Sequence, residues 1–465
     1  MSHRGRNPRR TGAFSSRHPL DREAPVRRTA APLSVALALT AVLVTGGTSA
    51  AVPSADRGDT GRPAHAGPPR DVMFVGNNWD GTATVVDART HETIRTVDTI
   101  PDRAKRMAEI VTRPDKLAFY LAIQAAIGEG RAQYTDDMFT THDGRLLAVS
   151  RPSFADVVGI DLASGQIRWR FPMEGYRSDH MGVSPDGERL LVSDSTANKV
   201  HELDIRTGVK TREFASGDTP HENNYTADGE RVFHASIGRV YTPTDRPQFR
   251  LPYDTLKGEQ VFQIVRTDDM AIEARWDMGK ELEEAGYPDM ASAVRPMAVA
   301  PDERFVYLQV SFFHGWIEFD TQAPDEDGRT TYEGEPAVGA VTRVVDLPKL
   351  TQEPRELYVL DSAHHGLAIN PEGTTLCAAG TMDGYAAIVD RETEEHRLVP
   401  VGDKPYWSTN GVFGDECWVS VSGEDEVVVI DYDTAQEITR IPVGDHPQRV
   451  REGVVSPSVL KAWTR

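Results

Sequence analysis

Histidine and arginine side chains recur in this chain within copies of one short segment, about forty residues apart where no insertion intervenes. Each copy starts with polar residues, continues through a short apolar stretch and ends in an acidic turn. The copies are Ser178-Asp-His-Met-Gly-Val-Ser-Pro-Asp-Gly187, Pro220-His-Glu-Asn-Asn-Tyr-Thr-Ala-Asp-Gly229, Val294-Arg-Pro-Met-Ala-Val-Ala-Pro-Asp-Glu303 and His364-His-Gly-Leu-Ala-Ile-Asn-Pro-Glu-Gly373. A repeat of this length is typical of stacked supersecondary units. It therefore predicts equivalent positions for His180, His221, Arg295 and His365.

Two kinds of chemistry suit these four residues, which we take as candidate catalytic residues. Neutral imidazole is a common ligand of transition metals, so His180, His221 and His365 form a candidate site for a divalent metal cofactor. Alternatively, a histidine beside Arg295 could remove a proton next to a carboxylate, as β-elimination from a uronic acid sugar requires. The residue pattern leaves both alternatives open.

Other polar and aromatic residues are predicted to face the same site and to contact a ligand. They lie at the starts of repeat units or in the links between the second and third strands of a unit. These candidate ligand-binding residues are Asn223, Asn410, Asp137, Arg239, Tyr241, His314 and Trp407. Their structural alternatives are hydrogen bonding between neighbouring units for the histidines and packing for the aromatic residues.

The units themselves read as four short strands separated by turns. First strands begin near Asp136, His180, His221, Arg295, His365, Asn410 and His446, and apolar second strands follow, such as Cys417-Trp-Val-Ser-Val421. Third strands end in Asp before a turn, as in Val200-His-Glu-Leu-Asp204 and Val428-Val-Ile-Asp431. Four evenly spaced strands per unit predict a seven-bladed β-propeller, an all-β fold. The first blade lacks an inner strand, so we expect the C-terminal strand to pair with it and close the ring.

Three phrases in these units carry a resemblance to a known family. Val183-Ser-Pro-Asp-Gly187, Asp204-Ile-Arg-Thr-Gly208 and Asp431-Tyr-Asp-Thr434 resemble the YVTN/YncE-like seven-bladed propellers of the WD40/YVTN superfamily. The resemblance implies the propeller fold over residues 70–456. It implies no single activity, because these folds host lyases, lactonases, cofactor enzymes and binding modules.

Insertions are predicted to lie mostly on the face of the ring where the polar residues meet. Residues 101–133 contain a helical segment, residues 240–260 lengthen a link between strands, and residues 281–293 contain a second helical segment. Long links of this kind often wall a pocket. We expect a pocket at this mouth of the central channel.

The N-terminal region reads as an export signal. Residues 1–50 combine an Arg-rich start, the apolar run Leu33-Ser-Val-Ala-Leu-Ala-Leu-Thr-Ala-Val-Leu-Val44 and small residues before a cleavage point after Ala50. This pattern predicts a secreted or extracytoplasmic protein, with Sec export favoured over twin-arginine export. Residues 51–69 read as a flexible linker and 457–465 as a C-terminal tail. No stable membrane span is expected after cleavage, because the run is too short.

Charge and cysteine content narrow the expected partners. The net charge of −20 over 465 residues argues against nucleic acid as a partner. Cys377 and Cys417 lie in neighbouring units with registers that differ by one residue, so they are expected to point to opposite faces and to be free thiols. We expect a monomer.

The function that these patterns favour is binding of a polar, anionic or sugar-like small ligand at the channel mouth. An enzyme with this site would be a lyase acting on a uronide-like substrate or a metal-assisted hydrolase. The alternative is a non-catalytic propeller scaffold that binds a protein partner.

Overall fold

A computed structural model describes residues 68–239, 258–323 and 338–465, and its strands form seven four-stranded antiparallel sheets within these ranges. The first three sheets contain β1 (Arg70–Asn77), β2 (Thr82–Asp87) and β3 (Thr93–Asp98); β4 (Met138–Thr140), β5 (Leu146–Arg151), β6 (Asp156–Asp161) and β7 (Gln166–Pro172); and β8 (Ser178–Val183), β9 (Arg189–Asp194), β10 (Lys199–Asp204) and β11 (Lys210–Ala215).

The fourth and fifth sheets contain β12 (Pro220–Tyr225), β13 (Arg231–Ser236), β14 (Val261–Arg266) and β15 (Ile272–Asp277), then β16 (Val294–Val299), β17 (Phe305–Val310), β18 (Gly315–Asp320) and β19 (Ala340–Asp346). The last two contain β20 (Leu367–Ile369), β21 (Thr375–Gly380), β22 (Tyr385–Asp390) and β23 (His396–Pro400), then β24 (Pro405–Asn410), β25 (Glu416–Val421), β26 (Glu426–Asp431) and β27 (Glu437–Pro442). The remaining strand is β28 (Pro447–Val455).

Ring closure is achieved by β28, which pairs antiparallel with β1 from Arg70 opposite Val455 to Asn77 opposite Pro447. The predicted seven-bladed propeller and its closure by the C-terminal strand are therefore confirmed. Pairing of the two chain ends leaves the first blade without the open inner edge that it would otherwise expose.

The turns that join third to fourth strands follow from their Asp residues. Asp204 accepts hydrogen bonds from the backbone N–H groups of Arg206 and Thr207, and Gly208 closes the turn at a φ of 67°. Asp431 likewise accepts from the backbone N–H of Thr434. These residues serve the turn itself, because Asp caps it and Gly tolerates the left-handed conformation.

The apolar core lies between adjacent blades. Side chains of the second and third strands are almost entirely buried, and most apolar clusters join two neighbouring sheets, as where Val72 and Phe74 meet Met138 and Leu147. Because blades stack front to back, each sheet buries both faces, and the polar residues left inside lie near the channel axis.

The two cysteines form a disulfide, so the expectation of free thiols is wrong. Cys377 lies on β21 and Cys417 on β25, and their Cα atoms are 6.5 Å apart. The one-residue difference in register does send the side chains to opposite faces. However, the front of one blade meets the back of the next, and opposite faces are therefore what an inter-blade bond requires.

The first strand of the seventh blade also differs from the prediction. β24 begins at Pro405, and Asn410 is its last residue, so the expected start near Asn410 is wrong. The turn after this strand is Gly411-Val-Phe-Gly414, which lacks the acidic residue on which the other units align.

Four helices occur in the described ranges: α1 (Arg103–Val111), α2 (Pro114–Ala126), α3 (Met278–Glu284) and α4 (Pro457–Trp463). The predicted helical insertions thus contain helices, and α1 is anchored by the buried Arg151, which binds Asp156 and Asp102. No helix in these ranges is long and apolar enough to span a membrane. The insertion at 240–260 lies largely outside the described residues, as does Tyr241.

Candidate functional site: a buried histidine cluster on the channel axis

The inner strands present two successive residues to the channel instead of one. In five blades the register between first and second strands shifts at this point, as in a β-bulge. A bulge places two residues of one strand opposite one residue of its partner and so re-aims side chains. The buried pairs at the shifts are Gln448 and Arg449, Asp179 and His180, His221 and Glu222, Arg295 and Pro296, and Tyr406 and Trp407. Asp136 with Asp137, and His365 with Gly366, are the buried pairs that precede the first strands of the other two blades.

Three histidines predicted to act together are indeed brought together. The ring centroids of His180 and His221 are 3.8 Å apart, and that of His365 lies 6.4 Å from His180 and 6.1 Å from His221. All three side chains are buried. We call His180, His221 and His365, with Asp179, the axial cluster.

The nitrogens of these rings retain unused bonding capacity. His180 Nε2, His221 Nδ1 and both ring nitrogens of His365 have no hydrogen-bond partner of ordinary geometry. Asp179, His180 and His221 each offer one ligand atom, and these three atoms lie within 4.8 Å of one another. Buried nitrogens without partners are costly, and their convergence is what a metal site requires.

Glu222 fixes the orientation of His180. Its Oε2 lies 2.5 Å from His180 Nδ1, and neither side chain is exposed by more than 2%. A carboxylate that accepts from Nδ1–H leaves Nε2 without a proton and ready to bind a metal. This carboxylate–histidine contact is a usual feature around metal ligands.

Arginines surround the cluster and are paired with carboxylates. Arg451 binds Asp137 through two bonds of 2.8 Å, and Arg449 Nη1 lies 3.6 Å from Asp136 Oδ1. Arg177 forms an ion pair with Asp179. The Arg449 guanidinium also lies 4.5 Å from the Trp407 ring centroid, within the range of a cation–π contact.

Burial and these arginines keep the histidines neutral. Burial lowers the pKa of His180, His221 and His365 well below the usual value, and Arg449 lowers each of them further. The charge of Arg295, which donates to Ser311 Oγ at 2.8 Å, also contributes to the lowered pKa of His221 and His365. Neutral imidazole is the form that binds metals.

The carboxyl groups respond in the opposite direction. Burial raises the pKa of Asp136 to about 6 and that of Glu222 to about 7, against the attraction of Arg449 and Arg451 respectively. Asp137 differs from them, because the attraction of Arg451 outweighs the effect of burial and keeps its pKa below the usual range.

A cavity of about 460 Å³ approaches the cluster from the face that carries the acidic turns. Glu222, Trp407, Arg451 and Phe139 lie among its lining residues, together with Asn410 near the ends of the inner strands. Glu222 therefore separates this cavity from His180. In the described part of the chain, the cavity lies at the opposite end of the channel from the predicted mouth.

The remaining predicted ligand-binding residues do not join the axial cluster. Asn223 binds Ser193 Oγ at 2.9 Å and His234 Nδ1 at 2.8 Å within the wall between blades, and Asn410 binds the carbonyl of Ile369 at 2.7 Å. Arg239 is half-exposed, with Nη2 3.6 Å from Asp218. His314 belongs to a second cluster between the fifth and sixth blades.

Sequence reasoning placed the histidines and Arg295 but missed Glu222, Arg449, Arg451 and Tyr406 as site residues. Arg449 and Arg451 could have been found, because they lie on the C-terminal strand that is expected from the sequence to close the ring. Tyr406 was missed because the first strand of the seventh blade was expected to start near Asn410, after this residue.

Comparisons with known proteins inform the fold. The sequence matches no protein-family model and no curated protein. Among solved structures, it is similar to hydrazine synthase of Kuenenia stuttgartiensis, with a TM-score of 0.50 at 16% identity over 81% of this chain and 99% of the other. Similarity at this identity shows the fold alone. It supports the propeller, whereas membership of the YVTN/YncE-like family stays a prediction.

Proposed function

We propose that this protein is an exported metal-binding propeller whose axial cluster holds a divalent transition metal together with a small anionic ligand. The observation that carries the proposal is the convergence of three buried imidazoles with unpartnered nitrogens, one of them oriented by Glu222. Asp179, His180 and His221 would supply the ligand atoms that already lie within 4.8 Å of one another, and His365, whose ring lies 6.1–6.4 Å from the other two, would complete the set.

The charge of the surroundings supports an anionic ligand. Arg177, Arg295, Arg449 and Arg451 are matched in number by Asp136, Asp137, Asp179 and Glu222, all of them close to the axis. Because the pKa of Glu222 is raised to about 7, the carboxylates do not exceed the arginines in charge, and a divalent cation added to this set would leave uncompensated positive charge in a buried site, which is unfavourable. An anion on the metal would restore neutrality, so we expect a carboxylate or a similar small anion.

The chemistry that such a metal supplies is polarisation of a bound oxygen or acidification of bound water. Around it, Glu222 holds His180 in one tautomer and Arg295 lies where it can neutralise a carboxylate. This arrangement suits a metal-assisted hydrolase or lyase acting on an acidic substrate.

Metal content tests the site directly. The protein is loaded with zinc, dialysed and analysed for metal, in parallel with His221→Ala, His365→Ala and the control His446→Ala. His446 is also buried, but it stacks on Trp79 just before β28 and belongs to none of the groups of metal-ligating side chains found in the described residues. We expect each axial variant to lose about one equivalent of zinc and the control to keep the wild-type content. Unchanged zinc in both axial variants would overturn the proposal.

The anionic ligand is tested with a matched pair of sugars. Glucuronate and glucose share a ring and differ in the carboxylate, so calorimetry on the zinc-loaded protein isolates the charge. We expect heat of binding for glucuronate only. Equal binding of glucose would contradict the role of the arginines, and the absence of both would exclude a uronide as ligand.

Export is part of the proposal. A basic region, the apolar run 33–44 and small residues before position 50 support it, and the Cys377–Cys417 disulfide suits an oxidising compartment. Expression of the full chain in a bacterium should give a mature N-terminus at Ala51 outside the cytoplasm. An uncleaved chain that remains cytoplasmic would contradict it.

A further inference from the structure

A second cluster of histidine and carboxylate lies between the fifth and sixth blades, away from the axial cluster. His314 comes from the link between β17 and β18, His364 lies three residues before β20, and Asp383 comes from the link between β21 and β22. Three different segments of two blades therefore meet at one point. We call these three residues the interblade cluster.

The three side chains converge on one carboxylate oxygen. Asp383 Oδ2 lies 2.6 Å from His314 Nδ1 and 3.1 Å from His364 Nε2. The one ligand atom from each residue lies within 4.8 Å of the other two. His364 and the Asp383 side chain are fully buried, and the His314 side chain is only 12% exposed.

Neighbouring groups hold each member in place. Tyr358 OH lies 3.0 Å from His314 Nε2, and the hydroxyl of Tyr385 lies 3.1 Å from His364 Nε2. The second oxygen of Asp383 accepts from the backbone N–H groups of Leu350 and Thr351, at 2.7 and 2.9 Å. Contacts of this kind orient metal ligands and tune their basicity.

The charge around this cluster favours a cation. In the described part of the chain, the ion pairs of Asp383 are with His314 and His364. No arginine side chain pairs with its carboxylate there, in contrast to Asp137 and Asp179 at the axis. A divalent ion would thus be partly neutralised by Asp383 without the help of an added anion.

We infer that His314, His364 and Asp383 bind a second divalent cation of the zinc type, which fastens the linker between the fifth and sixth blades to the body of the ring. Zinc bonds of about 2.0–2.1 Å at tetrahedral angles place ligand atoms roughly 3.3 Å apart. The observed separations of 2.6 and 3.1 Å come to that value when the Asp383 oxygen moves by less than about 1 Å. The Tyr385 hydroxyl donates to the carbonyl of Pro348 and lies 3.1 Å from His364 Nε2.

The fastening role follows from the linker contacts. Leu350, Thr351 and Tyr358 belong to the segment that joins β19 to β20, and all three bond to the cluster. A metal at this point would hold Asp383 and His314 in the positions that receive those bonds. Removal of the metal should therefore loosen this segment.

The test measures zinc in full-length variants of the two clusters. Asp383→Asn keeps the shape and an oxygen that accepts hydrogen bonds, but removes the charge that binds the ion. His364→Ala removes a ligand outright, and His446→Ala, at a buried histidine outside these groups, is the control. We expect about two equivalents of zinc in the wild type and in the control, and about one in Asp383→Asn and in His364→Ala.

The two proposals can fail separately. Loss of zinc in Asp383→Asn with none lost in His221→Ala would support the interblade site and overturn the axial one. Wild-type zinc content in folded Asp383→Asn would overturn the interblade site and leave the cluster as a hydrogen-bonded network. Should His364→Ala be misfolded, Asp383→Asn alone decides.

A second measurement is made in a variant that lacks the axial site. In a His221→Ala background, zinc should raise the melting temperature through the interblade cluster. The same addition should have no effect on His221→Ala/Asp383→Asn. An equal rise in both proteins would contradict the inference.

Discussion

At the scale of single residues, the contact between Glu222 and His180 determines whether an imidazole nitrogen faces the axis in its metal-binding form. The 2.5 Å contact is buried, and Glu222 also lines the cavity on the face that carries the acidic turns, so it stands between this cavity and His180. Glu222 is therefore a positioning residue, since it acts on the axis through His180.

Glu222→Gln should weaken metal binding without abolishing it. The amide oxygen can still accept from His180, but the charge that raises the basicity of the ring is lost, and such changes typically cost about 10–100-fold in affinity. Zinc titration against a competing chelator measures the effect. Glu202→Gln, at another buried glutamate, which pairs with Arg212, is the control. Equal affinities in all three proteins would contradict the positioning role.

His234 shows how a histidine can be wholly structural in the same wall. Its Nδ1 donates to the backbone carbonyl of Glu222 at 2.9 Å, and its Nε2 accepts from Ser216 Oγ at 2.7 Å. Both ring nitrogens are thus satisfied in the neutral form, and burial lowers its pKa to about 3. Partnered nitrogens distinguish His234 from the axial histidines.

This shift predicts a pH dependence of stability. Because the unfolded chain binds a proton near pH 6.5 and the folded chain does not until about pH 3, His234 destabilises the fold as the pH falls through that window. His234→Asn lacks this titrating group. The difference in free energy of unfolding between the wild type and the variant should therefore decrease by about 2 kcal/mol from pH 7.5 to pH 5. Urea unfolding at both values measures it. Parallel pH curves would contradict the assignment.

The sequence predicts which of the histidines lie at blade entries, because the repeat aligns them. It could not predict that Asn223 turns into the wall while His221 faces the axis. That difference depends on the bulge, which interrupts the alternation of a regular strand.

At the scale of elements, the inner strands and the pairing of neighbouring blades position the site. The bulged inner strands bring two residues each to the axis, and the disulfide joins the sixth blade to the seventh close to the strands that carry His365 and Trp407. The free-thiol prediction failed because it considered each blade alone, whereas blades stack front to back.

Removal of the disulfide should destabilise the propeller. Cys377 and Cys417 are 40 residues apart, and a loop of this length gives about 4 kcal/mol from chain entropy, with measured values commonly about 2–4 kcal/mol. Guanidinium unfolding of Cys377→Ala/Cys417→Ala against the wild type measures the loss. Zinc content should stay unchanged. Equal midpoints for the two proteins would contradict the contribution of the bond.

At the scale of the whole molecule, the ring depends on its closing strand. β28 supplies the inner strand of the first blade and also carries Arg449 and Arg451 to the axis. Closure and the charge balance of the site are therefore coupled through one segment.

Truncation separates these roles from that of the C-terminal helix. Loss of residues 447–465 should expose the edge of β1 and give aggregated protein. Loss of residues 457–465 removes α4, whose Val459 packs on the first two blades. This should lower the free energy of unfolding by about 3 kcal/mol while the ring stays closed. Size-exclusion chromatography and thermal unfolding measure both. A monomeric, folded product of the longer truncation would contradict the closure argument.

Seven blades and their closure were predictable because turn chemistry and strand spacing recur in nearly every unit. The site was predictable only in part, since charge pairs such as Arg449 with Asp136 join the closing strand to the second blade. Their partners lie far apart in sequence, and no local pattern relates them.

The most direct test of the axial cluster is anomalous diffraction from a crystal of the protein soaked in zinc. We predict a peak on the channel axis, about 2.0–2.1 Å from nitrogens of His180, His221 and His365. Ordered axial side chains with no anomalous peak between them would contradict the account.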